Sequence, residues 1–421
     1  MTRKILLLAL TALINAYLLA QVETAIDQSA ILLYGKVTTT TGEKFTGQLR
    51  WGKEEAFWFD YFNSSKIKNE NLKLLSDEQL EELDEKEQKK SWFALKNKCR
   101  WNYSSSYSNN NHHHSFACQF GDIKKIQPGN GEKIKVTLQN GDIQKLDGGS
   151  NDVGATVRIH DADEGLIKMG WDKIEMVEFF SAPRNFESQF GKPLYGKVKT
   201  SGGTFEGYVQ WDHDERLSED ELNGDMSSGE IDLPFGKIKT ITKTYKGVEV
   251  EVLSGRTFDL TGSNDVDDDN RGIIVNMPEM GRVDIPWEEF HEVTFFPAQD
   301  ISEVFIKSAY SPEKITGTVY TVDGISYTGL LIYDLDEIYD LEILNGYQND
   351  LEFFLPFRNI TSIEPKSDDT ALVKLHNGEI YRLEDKVDVS EENDGILVTT
   401  SNNEQQYISW RDVKEIKING Y

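Results

Sequence analysis

Apolar and polar residues alternate with a period of two along most of the chain, the spacing expected of half-buried strands. In "YGKVKTSGGTFEGYVQW" from Tyr195, Val198 and Thr200 alternate with Lys197 and Lys199. Gly202 and Gly203 then supply a turn, and Phe205, Val209 and Trp211 continue the apolar side. This predicts a hairpin. The same pattern recurs in "YGKVTTTTGEKFTGQLRW" from Tyr34 and in "TGTVYTVDGISYTGLLIY" from Thr316. Self-similarity within one chain marks tandem repeats.

Each repeat carries a second, differently worded hairpin: "KIKVTLQNGDIQKL" from Lys133, "GVEVEVLSGRTFDL" from Gly247 and "ALVKLHNGEIYRL" from Ala371. Asn140-Gly141 and Asn377-Gly378 are favourable hairpin turns because both residues tolerate positive φ. Six aromatic anchors alternate in type along the chain: Phe120, Trp171, Phe235, Trp287, Phe357 and Trp410. After each, apolar residues stand at plus three and plus six, as in Phe120, Ile123, Ile126 and in Trp410, Val413, Ile416. That spacing predicts a single 3₁₀ turn feeding a closing strand. The alternation divides each repeat into two halves.

A hairpin with a glycine turn, the Gly42 to Gly47 spacing, a second hairpin, a short 3₁₀ turn and a closing strand together resemble the Sm-like and SH3-like small barrels. A module of roughly 50 to 60 residues fits them too. The resemblance implies an all-β fold of three repeats, each a pair of small barrels. The alternative is three β-sandwich domains in which both halves share a core. The RNA binding of Sm proteins does not carry over, because neither a basic face nor their loop residues occur here. The whole chain also resembles secreted bacterial proteins built from this tandem repeat, a likeness that implies no function.

The repeats are placed at 34-180, 194-296 and 315-418, with an insertion in the first at about 57-115. Within the insertion, Ser76 and Gln79 form a capping box that predicts a short helix. Residues 1-20 read as a signal peptide: Arg3 and Lys4 precede an apolar stretch from Ile5 to Leu19, and Ala20 offers a small residue for cleavage. The mature chain is expected to start at Gln21, to be periplasmic or extracellular, and to lack a membrane span.

The formal charge of −27, which becomes −29 once Arg3 and Lys4 are removed, argues against nucleic acid or anionic membranes as partners. No nucleophile elbow, phosphate loop, dinucleotide fingerprint or zinc-protease helix occurs. The expectation is therefore a protein that is not an enzyme and needs no cofactor or metal.

Two features remain as candidate sites. Acidic loops follow the first hairpin of the repeats, with Asp212, Asp214 and Glu215 in the second matching Asp334, Asp336 and Glu337 in the third. Glu54 and Glu55 are their counterparts in the first. Such loops could meet a partner or offer oxygen ligands to a hard cation, or simply keep a strand edge soluble. A further set, Asp152, Asp265 and Asp388, is followed each time by valine and reads as turn chemistry. The EF-hand pattern fails at Asn270 and Asn276. The His112, His113 and His114 run lies in a polar loop.

Cys99 and Cys118, the only cysteines, are a candidate disulfide tying down the insertion. Cys118 also aligns with Leu233 and Leu355, as a buried core thiol would. The reading that follows is an exported binding or scaffold protein whose partner is an unknown macromolecule or surface polymer. Its alternatives are a cation-dependent adhesion module using the acidic loops, and a carbohydrate-active or other hydrolase.

Overall fold

A computed structural model describes residues 28–83, 86, 115–298 and 312–420. The chain is nearly all β, as the period-two pattern requires. Each repeat supplies ten strands. The first has β1 (Tyr34–Thr39), β2 (Lys44–Trp51), β3 (Tyr61–Lys66), β4 (Ser115–Gln119) and β5 (Ile123–Pro128) in its first half. Its second half has β6 (Ile134–Leu138), β7 (Ile143–Asp147), β8 (Val157–Asp161), β9 (Gly165–Met169) and β10 (Ile174–Phe179).

The second repeat runs from β11 (Tyr195–Thr200) to β20 (Phe290–Phe295), and the third from β21 (Thr316–Thr321) to β30 (Val413–Ile418). A 3₁₀ turn opens at each of the six aromatic anchors, Phe120, Trp171, Phe235, Trp287, Phe357 and Trp410. The two bulky residues of each three-residue spacing are thereby stacked on the core side.

The first repeat orders its strands β4-β3-β7-β6-β5-β10-β1-β2-β8-β9. Each strand in the first half of this order differs by five from the strand at its mirror position, as β4 and β9 or β7 and β2 do, so the unit is two-fold symmetric about the β5–β10 pair. The halves interleave. Hairpin β1–β2 pairs through β2 with β8 of the other half, and β3 pairs with β7. The second and third repeats follow the scheme, with β12 (Gly203–Trp211) against β18 (Ile273–Met277) and β22 (Ser326–Ile332) against β28 (Ile396–Thr400), except that in the second repeat the hairpin over 221–234 forms a separate two-stranded sheet, bridged to the rest at Asp225 and Thr261.

The structure therefore departs from the expected pair of small barrels. Among the described residues no barrel closes, because β4 and β9 do not bond to the strands that follow them, and each second hairpin pairs across the half boundary. The third strand, Tyr61–Lys66, has clear counterparts in β13 (Glu221–Met226) and β23 (Ile343–Gln348), so the inserted segment begins after Lys66 rather than near Phe57. The Ser76 Oγ accepts from the Gln79 amide and the Ser76 amide donates to Gln79 Oε1, capping the helix over 77–83.

Facing glycines mark every first hairpin: Gly35 opposite Gly47, Gly196 opposite Gly207, and Gly317 opposite Gly329. A Cβ on Gly47 would lie 2.0 Å from the His160 carbonyl oxygen, and one on Gly329 would lie 2.0 Å from that of Thr399. Neighbouring backbones approach there as only glycine permits.

The repeats also pack on one another. Strand β19 (Gly281–Ile285) pairs with β24 (Leu351–Pro356), and the second and third repeats share one apolar cluster. Phe57 and Phe59 meet Tyr208 between the first and second repeats. Tyr339 and Leu341 of the third repeat enter the core of the first.

Candidate site: the acidic loops and their carboxylate latches

Each first hairpin ends on a buried ring, Trp51, Trp211 or Tyr333, at most 1% exposed. The chain then turns back so that this residue and the one four places on exchange backbone hydrogen bonds: Trp51 with Glu55, Trp211 with Glu215, Tyr333 with Glu337. The turn needs positive φ at its second residue, which is Gly52, Asp212 or Asp334. Asp tolerates that region better than most side chains because it bonds locally.

The ring's polar tip must find an acceptor in so dry a place. Trp51 Nε1 donates to the Asp152 carbonyl at 2.9 Å, Trp211 Nε1 to that of Asp265 at 2.8 Å, and the Tyr333 hydroxyl to that of Asp388 at 2.5 Å. The carboxylates of these three aspartates reach the other way. Each accepts a backbone N–H at 2.7 Å, from Asn63, Asn223 and Asn345 respectively. Three remote segments are thus latched at one point in every repeat.

The candidate acids lie around these latches. Asp212 is 1% exposed and accepts from the Arg271 amide and from Asn264 Nδ2, both at 2.6 Å. Arg271 also pairs with Asp214 at 2.8 Å. Asp334 is buried and accepts the Asp394 amide. Asp336 is buried against the Lys66 ammonium at 3.0 Å, and that ammonium also reaches Glu342 at 2.5 Å. Lys66 belongs to the first repeat, so the third repeat's loop is covered by another part of the chain, whereas Asp214 and Glu215 of the second remain partly open.

Burial dominates the electrostatics. It pushes the Glu215 carboxyl up to about 8, helped by the charges of Asp265 and Asp214. It pushes Asp152 and Asp388 up to about 7, against the bonds from Asn63 and Asn345. Glu337 and Asp334 rise well above the ordinary range for the same reason, reinforced by each other's neighbours. Asp284 behaves oppositely: burial resists its ionisation, but His213, at 2.9 Å, and Arg282 hold it below the usual range.

One oxygen from each of Asp212, Glu215 and Asp265 comes within 4.8 Å of the other two. These are the side chains that could hold a hard cation. The candidate loop residues are therefore brought together with Asp265 and Asp388, and the asparagines at 63, 223 and 345 complete each group. A shared "LN" at 222–223 and 344–345 is the sequence signal that marks those asparagines, replaced by "FN" at 62–63.

Cys118 is a free thiol, fully buried opposite Phe62, as Leu233 and Leu355 are buried opposite Leu222 and Leu344. Its candidate partner Cys99, the histidine run and the signal segment lie outside the described residues. One surface groove is lined by Lys199, Lys243, Glu288 and His291, whose Nε2 lies 3.3 Å from the exposed Ser201 hydroxyl, and another by Arg50, Arg158, Asp214 and Glu221. No helix among the described residues is long and apolar enough to cross a membrane.

No protein-family model matches the chain, and no curated protein matches it in sequence. Among solved structures, a streptogramin B lyase aligns at 12% identity over 71% of this chain and 94% of that one, with a TM-score of 0.13. A virginiamycin B lyase from Staphylococcus aureus aligns at 11% identity over the same shares, with a TM-score of 0.12. Likenesses this slight carry no argument about fold or activity.

Proposed function

We propose that this is an exported, non-enzymatic binding or scaffold protein of the cell envelope or medium, whose partner is a macromolecule or surface polymer. The observation that carries the reading is the threefold use of one strand scheme, with its strongest polar groups spent on holding the chain together. Trp51 and Trp211, the rings a carbohydrate-active site would need at its surface, are fully buried. Copies of one unit on one chain favour multivalent contact. The signal-like first twenty residues support a partner outside the cytoplasm.

The test is saturable binding of the fluorescently labelled chain from Gln21 to isolated envelopes and purified surface polymers. Saturation on one fraction, with no product released from it, is expected. Turnover of a polysaccharide or peptide substrate would overturn the reading.

A second reading, a cation-dependent adhesion module, draws on the convergence of Asp212, Glu215 and Asp265. A bound ion raises the melting temperature as its concentration passes the dissociation constant. If millimolar calcium leaves the melt of the chain unchanged, this second reading falls.

A further inference from the structure

Every repeat leaves two strands at the ends of its order, although in the second repeat the hairpin that begins with β13 stands as a separate two-stranded sheet. One is the last strand of the first half's second hairpin, as β4, β14 (Gly229–Pro234) and β24 are. The other belongs to the second half, as β9, β19 and β29 (Gln405–Ile408) are. The chain itself uses one such couple. Strand β19 of the second repeat runs antiparallel to β24 of the third, with Arg282 opposite Phe354, Val283 opposite Phe353 and Asp284 opposite Glu352. Among the described residues, β9 pairs only with β8 and β14 only with β13.

The ladders inside each repeat fix which residues correspond. Ile167 faces Ile159 as Val283 faces Val275, so Leu166, Ile167 and Lys168 stand where Arg282, Val283 and Asp284 stand. Ile231 faces Gly224 as Phe353 faces Gly346, so Glu230, Ile231 and Asp232 stand where Glu352, Phe353 and Phe354 stand. Carried onto β9 and β14, the internal register puts Ile167 opposite Ile231 and Lys168 opposite Glu230. The second repeat's joint sets two acids, Asp284 and Glu352, across from each other at that place. The unused couple sets a base against an acid.

We propose that β9 of one copy adds to β14 of a second copy in this register, joining copies of the chain head to tail. Main-chain hydrogen bonds supply the attraction, and the side chains select the edge. Exposed charges on an edge ordinarily prevent pairing. Here they discriminate: two β14 edges would bring Glu230 and Asp232 against like charge, whereas β9 sets Lys168 against Glu230 and the uncharged Leu166 against Asp232. Strand β29 offers Gln406 and Tyr407 at the corresponding places, with no cation for Glu230. Because the two edges differ, each added copy leaves a free edge of each kind, so growth continues until a ring closes or as an open chain. The inference is independent of which polymer the protein binds.

Sedimentation velocity on the chain from Gln21 over about 1 to 100 µM tests it. The sedimentation coefficient is expected to rise with concentration. Lys168→Glu should move the half-association concentration up by about tenfold, and adding Glu230→Lys to the same chain should return it. Mixing the single variants Ile167→Cys and Ile231→Cys under mild oxidation should give a mixed disulfide dimer in preference to either homodimer. A chain that stays monomeric throughout, a charge exchange that fails to restore association, or disulfides formed equally among all pairs would each overturn the proposal. None of these outcomes bears on polymer binding by the single copy, so the two readings fail separately.

Discussion

Removing the charge of Arg216 while keeping its stem, as Arg216→Met, tests how the first two repeats are held together. The guanidinium is 2% exposed, lies 2.7 Å from Asp60 Oδ1, and stacks 5.0 Å from the centre of the Phe57 ring. Asp60 Oδ2 already accepts the Ala56 and Phe57 amides at 2.7 and 2.8 Å. Burial raises the Asp60 carboxyl and lowers the Arg216 guanidinium, and each partner only partly offsets this for the other. The pair therefore costs much of what it gains, but either charge alone costs far more.

Breaking a buried pair from one side is expected to destabilise by about 3 to 5 kcal/mol. The Asp60→Asn change keeps an acceptor for the two amides. With Arg216→Met it leaves no buried charge, so the double variant should recover most of the loss. Urea unfolding at fixed pH, analysed as a double-mutant cycle, measures this. If the single changes add, or if Arg216→Met costs under about 1 kcal/mol, the charges are solvated and the reasoning fails.

Three other outcomes are expected. The raised carboxyls of Asp152, Asp388 and Glu215 bind protons more tightly folded than unfolded, so stability is full below the ordinary carboxyl range and is lost as pH rises through about 8. Calorimetry should give a melting temperature higher at pH 5 than at pH 9, and the reverse order would mean that these groups are ionised and compensated. Gly47→Ala should lose about 1 to 3 kcal/mol or more because its Cβ meets the His160 carbonyl, while Gly170→Ala, which meets only a movable Asp172 oxygen, should lose little; equal losses in chemical denaturation would refute the close approach. Burial pushes the Cys118 thiol well up, so iodoacetamide should modify it at least ~100-fold more slowly in the native protein than in urea, and rapid native labelling would show that β4 opens.

What the sequence disclosed was local. Hairpins follow from period-two alternation with glycine turns, and the six 3₁₀ turns follow from aromatic and aliphatic residues three apart, because these rules involve only neighbours. The interleaving was hidden. A turn decides that β1 meets β2, but whether β2 next meets β3 or β8 depends on which arrangement buries Val157 and Ile159, and both arrangements use the same residues.

The surroundings of the acidic loops were hidden in a similar way. The sequence left Asp334, Asp336 and Glu337 open to a partner, a cation or solvent, and only the fold shows that the Tyr333 anchor draws the loop inward and that Lys66, remote in sequence, supplies a countercharge. The correspondence of Asp152, Asp265 and Asp388 was visible, while their backbone partners at Asn63, Asn223 and Asn345 required the fold.

Interleaved halves also set an order of events for a chain that leaves a pore amino end first. When β1 and β2 emerge, the strand that must lie beside β2 is still inside, and the side of the sheet begun by β3 waits for β6 and β7. The β4-β3-β7-β6-β5 side is complete once β7 is out, but the side holding β1 and β2 waits for β8, β9 and β10, and long-range pairing of this kind is slow to form. The smallest piece that can settle with every strand paired is thus an entire repeat. A protease cut between β5 and β6 would leave two pieces, each owning strands on both sides of the β5–β10 pair, and they should stay clasped as one particle.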